Sequence, residues 1–268
     1  MNELFADIPQ LGHTLTQYFI LLSLCSLRLM IVMIIFPPTA DSVLQGVVRN
    51  ALVLLWSTFV AFGQQGLAPQ LRGEFLLLIS LKEAVIGLVI AYLASSAFWV
   101  IDAVGAYVDN LTGYNNVQLT NPSNGKETSL TSTLMSQCAI VAFWSLGGMM
   151  FLLNAIYTSY NWWPLASMMP MPGNVLETFA MHQTDSIMQM IAKLAAPMVI
   201  VLLFVDLGIG LVSKTAQKLD LASLAQPVKG ALTVLMLALL IGIFVDQVHE
   251  QVSLMGLSAQ LHALGGGK

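Results

Sequence analysis

Residues 75–101 read FLLLISLKEAVIGLVIAYLASSAFWVI, and this stretch decides the fold. It is apolar almost throughout and longer than the about 20 residues that a helix needs to cross a bilayer core. It lacks the period-two alternation of a barrel strand, and hydrocarbon offers an unpaired backbone amide no partner, so it must be helical. Yet Lys82 and Glu83 stand side by side inside it, where an ionised group at the bilayer centre costs about 2.5–3.5 kcal/mol. Both charges therefore face protein, water or a headgroup. Gly87, Ala91 and Ser95 follow at four-residue spacing. They line one helix face with small side chains that allow close packing, within the chain or against another subunit.

Five further apolar runs lie outward from this one, at 18–36, 47–62, 134–157, 187–212 and 231–248. The expectation is an all-α, membrane-associated chain of helical hairpins with about six long apolar helices. Composition agrees: 57% of the 268 residues are hydrophobic and 9% charged, against about 25% charged in ordinary soluble domains. Ten Lys and Arg with fourteen Asp and Glu cannot solvate a globule of this size, which excludes a free cytosolic enzyme. The net charge of -4 includes no basic stripe, so no nucleic-acid partner is expected.

The runs are poor spans. Two are short, and four carry charge or proline within or at their edges: Arg28 in the first, Lys82 and Glu83 in the third, Pro197 and Asp206 in the fifth, Asp246 in the sixth. Any one of these charges can snorkel from a helix end. Together they exceed what a small bundle can hide, so the chain is expected to pack among other subunits. Gly208 and Gly210 mark a second place where the backbone can approach a neighbour or bend. Asp206 has two readings. It is a proton relay in a transporter, or a carboxylate paired with another segment or interface water, since Lys214 is too far along the helix for a direct pair.

Counting cations in alternate connections groups Arg49, Lys126, Lys214, Lys218 and Lys229 against Arg72 and Lys268. The positive-inside rule then puts the turn at 213–230 in the cytoplasm and both termini outside. Residues 1–17 hold no Lys or Arg, so the first run is expected to be retained rather than cleaved as a signal. Residues 102–133 turn polar, and Gly105, Asn110, Gly113, Asn115, Asn116, Asn121 and Pro122 are expected to break any continuous helix there. Residues 159–185, with Trp162 and Trp163, read as an interfacial anchor and a turn, and the tail at 249–268 is expected to fray.

Reactive chemistry is missing. His13, His182, His249 and His262 stand apart without metal-ligand spacing, and Cys25 and Cys138, far apart inside apolar runs, read as small core residues. No phosphate loop, dinucleotide fingerprint or serine elbow occurs, and the intramembrane acids lie on separate runs. No catalytic residue, cofactor or metal is expected.

The order of motifs resembles the SctT/FliR/SpaR family. It comprises Arg28 in the first run, Phe36-Pro37-Pro38 at its end, Arg49 opening the second, Lys82-Glu83 with Gly87, and then 102–114 with Gly105 and Gly113. Ala196-Pro197-Met198, Asp206-Leu207-Gly208 and Gln226-Pro227-Val228-Lys229 look like its closing hairpin. Members of that family are inner-membrane export-apparatus subunits of type III secretion systems, in injectisomes or flagella. The resemblance implies a single copy within the basal body, assembled with P/R-type and Q/S-type subunits into a helical export gate. Larger export-gate and switch proteins, secreted substrate proteins and membrane lipid are its further implied partners. It also implies that residues 1–186 mimic one partner, the hairpin at 187–248 the other, and that a plug loop falls on 105–122. There Val108, Leu111, Tyr114, Val117 and Leu119 would supply apolar contacts, and Gly105 and Gly113 backbone freedom. The segment carries more Asn and Thr than the flagellar pattern, which points to a virulence system. The implied function is a non-enzymatic subunit of the pore for unfolded proteins. The alternative is an ion-coupled transporter or channel subunit using Asp206, Lys82 and Glu83; such folds show inverted repeats, and none is found here.

Overall fold

The computed structural model describes residues 2–70, 74–113, 119–120, 127–167, 173–215 and 222–252. Seven helices run through the described residues: α1 (Asn2–Ile35), α2 (Gly46–Gly63), α3 (Glu74–Thr112), α4 (Leu130–Ser145), α5 (Gly148–Trp162), α6 (Gly173–Thr215) and α7 (Ala222–Val252). Leu119–Thr120 and Glu127–Thr128 form a two-residue antiparallel ladder, β1 and β2, with Leu119 opposite Thr128. The all-α expectation holds, since this short ladder is no sheet.

Among the described residues, four helices are long and apolar enough to cross a membrane, or five if α4 and α5 count as one broken span. The fourth apolar run is thus two helices rather than one. Gly147, at φ +73°, ends the first of them, and the Phe143 ring occupies the space where a Cβ on Gly148 would sit. In α7, the apolar helical stretch found among the described residues, Ala225–Leu239, begins before the sixth run and is shorter than a span.

Helix α1 begins well before its apolar run, at Asn2, and α6 begins at Gly173, inside the stretch expected to be a turn, while α3 runs on past its end. Helix α3 does not stop near Ile101 but continues through Asp102 to Thr112, so its 39 residues extend about 58 Å at 1.5 Å per residue. Within the stretch expected to be a loop, Asp102, Gly105 and Asp109 form a helical face that packs against α4.

The chain gathers into two compact units. The first draws on Met1–Ser95 and Met150–Leu176. Its core follows helical periodicity: Leu21, Leu24, Cys25, Arg28, Leu29, Val32 and Met33 of α1 are buried along one stripe. Against them lie Ile79, Glu83, Ile86 and Ile90 of α3 and Leu152, Ile156 and Tyr160 of α5. Helix α2 packs beside α1 and buries only a narrow row, Arg49, Val53, Ser57 and Ala61. The second unit draws on Ser96–Met149 and Glu177–Ser253. Phe98, Ile101, Val104 and Val108 of α3 are buried there, as are Met135, Ala139 and Phe143 of α4 and Met198 and Leu202 of α6. Phe98 and Phe143 meet edge to face at 6.0 Å. Cys138 is exposed rather than a core residue.

The helices differ sharply in how much of their apolar surface the chain covers. In its most apolar window α3 is 72% buried, whereas α2 is 22% and α6 17% buried. Phe59 and Phe62 on α2, and Phe204, Leu207 and Leu211 on α6, stand exposed.

Candidate functional site

In the first unit, α1 and α3 bring Arg28 and Glu83 together inside the apolar stripe, both fully buried. Their contact is bidentate: Nε donates to Glu83 Oε2 at 2.8 Å, and Nη2 to Oε1 at 2.9 Å. The remaining guanidinium donors reach α5 and the residue after it. Nη1 donates to Ser159 Oγ at 2.6 Å, and Nη2 also to the Trp163 carbonyl at 3.1 Å. The cation lies 3.9 Å from the centre of the Tyr160 ring, and the Tyr160 hydroxyl donates to the Cys25 carbonyl at 2.8 Å. Lys82 Nζ sits 3.1 Å from Glu83 Oε1. It donates to the carbonyls of Pro164, Leu165 and Ser167 at 2.9, 3.0 and 3.0 Å.

Two cations therefore share one carboxylate, and the surplus positive charge is met by backbone carbonyls of the turn after α5. Such a buried group is worth little as a net attraction, but orphaning one member costs about 3–5 kcal/mol. Gly87 allows this approach: a Cβ there would lie 2.9 Å from the Arg28 carbonyl oxygen. Ala91 and Ser95 continue the same buried face, and the Ser95 hydroxyl has no hydrogen-bond partner among the described residues.

This arrangement corrects the inference that the charges must be hidden by other subunits. The chain satisfies Arg28, Lys82 and Glu83 by itself. Asp206 likewise takes a partner on another segment, Lys229 of α7, at 2.5 Å. At Gly208 and Gly210 an added Cβ would meet nothing within 4 Å among the described residues.

In the second unit, Asp102 and Asp109 lie two turns apart and so share a face of α3, with Gly105 between them. Asp109, fully buried, accepts the Thr131 amide at 2.7 Å and also the Thr131 hydroxyl. Asp102 accepts the hydroxyls of Ser132 and, at 3.3 Å, Ser136. Ser129 caps α4 by accepting the Ser132 amide at 3.3 Å. Two orphan donors of the α4 N-terminus are thus satisfied, one of them by a carboxylate, which the helix dipole favours there. A Cβ on Gly105 would strike the Ser132 backbone, whose nitrogen is 2.7 Å away. Gly105 therefore serves close helix packing rather than loop freedom.

The end of α3 is held from α7. Gly113, at φ +82°, turns the chain out of the helix, as a left-handed glycine does after a C-cap. Its carbonyl accepts Gln226 Nε2 at 3.3 Å, and the Leu111 carbonyl accepts Lys229 Nζ at 3.1 Å.

Of the expected plug residues, Gly105, Val108 and Leu111 are helical, with Val108 fully buried. Gly113 forms the turn. Tyr114 and Val117 lie outside the described residues, and Leu119 is described only as part of β1. Sequence reasoning missed Ser159, Tyr160, Asp109, Thr131, Ser132 and Gln226 as partners. The two-turn spacing of Asp102 and Asp109 was the available signal for that helix face. Among the described residues, no three His, Cys, Asp or Glu side chains gather into a group that could hold a metal ion.

A family profile described as "Bacterial export proteins, family 1" matches residues 19–255. The chain belongs to this family. It is 33% identical to "Yop proteins translocation protein T" of Yersinia pestis over 239 residues, covering 88% of this chain and 89% of that relative. It is 26% identical to "Surface presentation of antigens protein SpaR" of Shigella flexneri over 230 residues, covering 85% and 88%. It is 25% identical to "Flagellar biosynthetic protein FliR" of Bacillus subtilis over 182 residues, covering 68% and 70%. These findings agree with the SctT/FliR/SpaR resemblance and with a structural component of the type III export apparatus in the bacterial inner membrane.

Proposed function

We propose that this chain is a subunit of a type III export gate, and that the segment following α3 closes the pore at rest. The observation that carries the reading is the way the chain leaves and re-enters that segment. Asp102, Gly105 and Asp109 join α3 to the start of α4, and Gln226 and Lys229 hold the α3 end. The described ends on either side of 114–126, the α3 end and the start of α4, are thus both tied to neighbouring helices, which supports a stopper reading. In this reading 1–186 stands for one partner subunit and 187–248 for the other. The exposed apolar faces of α2 and α6 meet P/R-type and Q/S-type subunits, with one copy of this chain per gate. The virulence setting fits the Yersinia and Shigella relatives. The transporter alternative gains no support: Glu83 is held between Arg28 and Lys82, and Asp206 pairs with Lys229.

The test is a chain in which a short Gly-Ser link replaces 114–126, co-expressed with its partner subunits. The complex is expected to assemble while the resting membrane leaks ions. Normal permeability in an assembled complex would reject the plug.

A further inference from the structure

We infer that the amino-terminal end of α2 holds the headgroup of an aminophospholipid, with its phosphate on the first helical turn and Arg49, and its ammonium on Asp41. The first amides of a helix have no acceptor within it. In α2 the chain supplies none: Gln45 makes no side-chain cap, and no acidic residue stands in the first turn. The first amide with a backbone partner is that of Arg49, which donates to the Gln45 carbonyl at 2.9 Å. Gly46, Val47 and Val48 therefore offer three amides without an acceptor among the described residues. They stand at the positive end of the helix dipole, where an anion is favoured.

Arg49 points to the same ligand independently. The residue is only 9% exposed, yet its guanidinium is underused. Nη1 pairs with an Asp41 carboxylate oxygen at 2.9 Å, while Nε is buried with no hydrogen-bond partner among the described residues. A buried donor left without an acceptor costs stability, and phosphate is a strong acceptor for guanidinium. The group lies against the helix end, with Nη2 3.9 Å from where a Cβ on Gly46 would stand. Asp41 Oδ1 is 3.5 Å from that point, and its side chain is 74% exposed. A positive helix end, a cation and an open carboxylate so close together complement a zwitterion better than a simple anion, which Asp41 would repel. The surroundings favour a lipid as its source. Helix α2 is long and apolar enough to cross a membrane and is only 22% buried. Val43, Val47 and Val48 stand exposed around its first turn, where acyl chains below a bound headgroup would run. The site needs only the membrane location of the chain and is independent of the plug.

The experiment titrates the full chain, purified in detergent with its partner subunits, with three lipids of identical acyl chains. Phosphatidylethanolamine offers phosphate and a hydrogen-bonding ammonium, phosphatidylcholine a phosphate and a quaternary ammonium that donates nothing, and phosphatidylglycerol a phosphate without a cation. Native mass spectrometry counts bound lipid, and amide hydrogen exchange of 46–48 reports on the site. Phosphatidylethanolamine should bind about tenfold tighter than either of the others, the worth of one charge-assisted hydrogen bond, and should slow exchange at 46–48. Asp41→Asn should abolish that preference, and Asp41→Glu should keep it. Arg49→Gln should weaken all three lipids about tenfold; it leaves no buried charge behind, and the Asp41 pair carries the test if it fails to assemble. Equal binding of the three lipids, or a preference that survives Asp41→Asn, would overturn the inference. So would displacement of phosphatidylethanolamine by inorganic phosphate, which would mark a bare anion site.

Discussion

The ionic group of the first unit and the helix junction of the second solve the same problem differently. Around Arg28 every charge is enclosed and has several partners. At the junction, buried Asp109 is satisfied by an amide and a hydroxyl without a cation, and the ion pair beside it, Asp206–Lys229, is partly open to its surroundings. Coulomb attraction weakens steeply with effective dielectric. The first arrangement therefore resists any movement that separates its members, whereas the second contains a contact that can be broken cheaply. One region is built to stay and the other to be adjustable.

Four single substitutions and one double variant would break or sharpen this contrast. Glu83→Ala should have the largest effect, about 3–5 kcal/mol, because it strands the fully buried Arg28 and leaves Lys82 without its carboxylate. Lower recovery and a lower thermal inactivation temperature of the solubilised complex should follow. The double variant Arg28→Met/Glu83→Leu should be milder than Glu83→Ala, and equal loss in both would show that packing rather than charge dominates. Next comes Gly105→Val, at about 1–3 kcal/mol from overpacking against the Ser132 backbone. Its mark should be faster hydrogen exchange at the start of α4. Gly87→Ala pushes a Cβ against the Arg28 carbonyl oxygen and should cost about 1–2 kcal/mol, read as a lower inactivation temperature. Asp206→Asn should be smallest, within about 1 kcal/mol, since half-exposed pairs contribute little. A drop as large as that of Glu83→Ala would erase the distinction between the two regions.

Much of the helical content was legible because apolar runs of this length have no other stable form in hydrocarbon. Arg28 was legible too, standing on the same helical stripe as Leu21, Leu24 and Val32. Two features were not. Gly105 read as a helix breaker, and Asp102 and Asp109 fell within the polar stretch around it, because their partners, Thr131 and Ser132, come from a helix whose approach only the fold reveals. The break at Gly147 was hidden by the apolar residues on both sides of it, although the Gly147-Gly148 pair was visible. The partners of the buried charges were illegible for a related reason: backbone carbonyls at Trp163, Pro164 and Leu165 accept the cations, and carbonyls leave no trace in a residue alphabet.

The distances along the chain within the Arg28 group bear on how this protein is made. Arg28 meets Glu83 55 residues later and Ser159 131 residues later. A ribosome that has delivered only α1 to the insertion machinery has delivered a helix with an unmatched cation, at about 2.5–3.5 kcal/mol if it sits mid-bilayer. Relief arrives in instalments, first with α3 and then with α5, so nascent chains arrested before residue 83 should be held less firmly in the membrane than those arrested after residue 167.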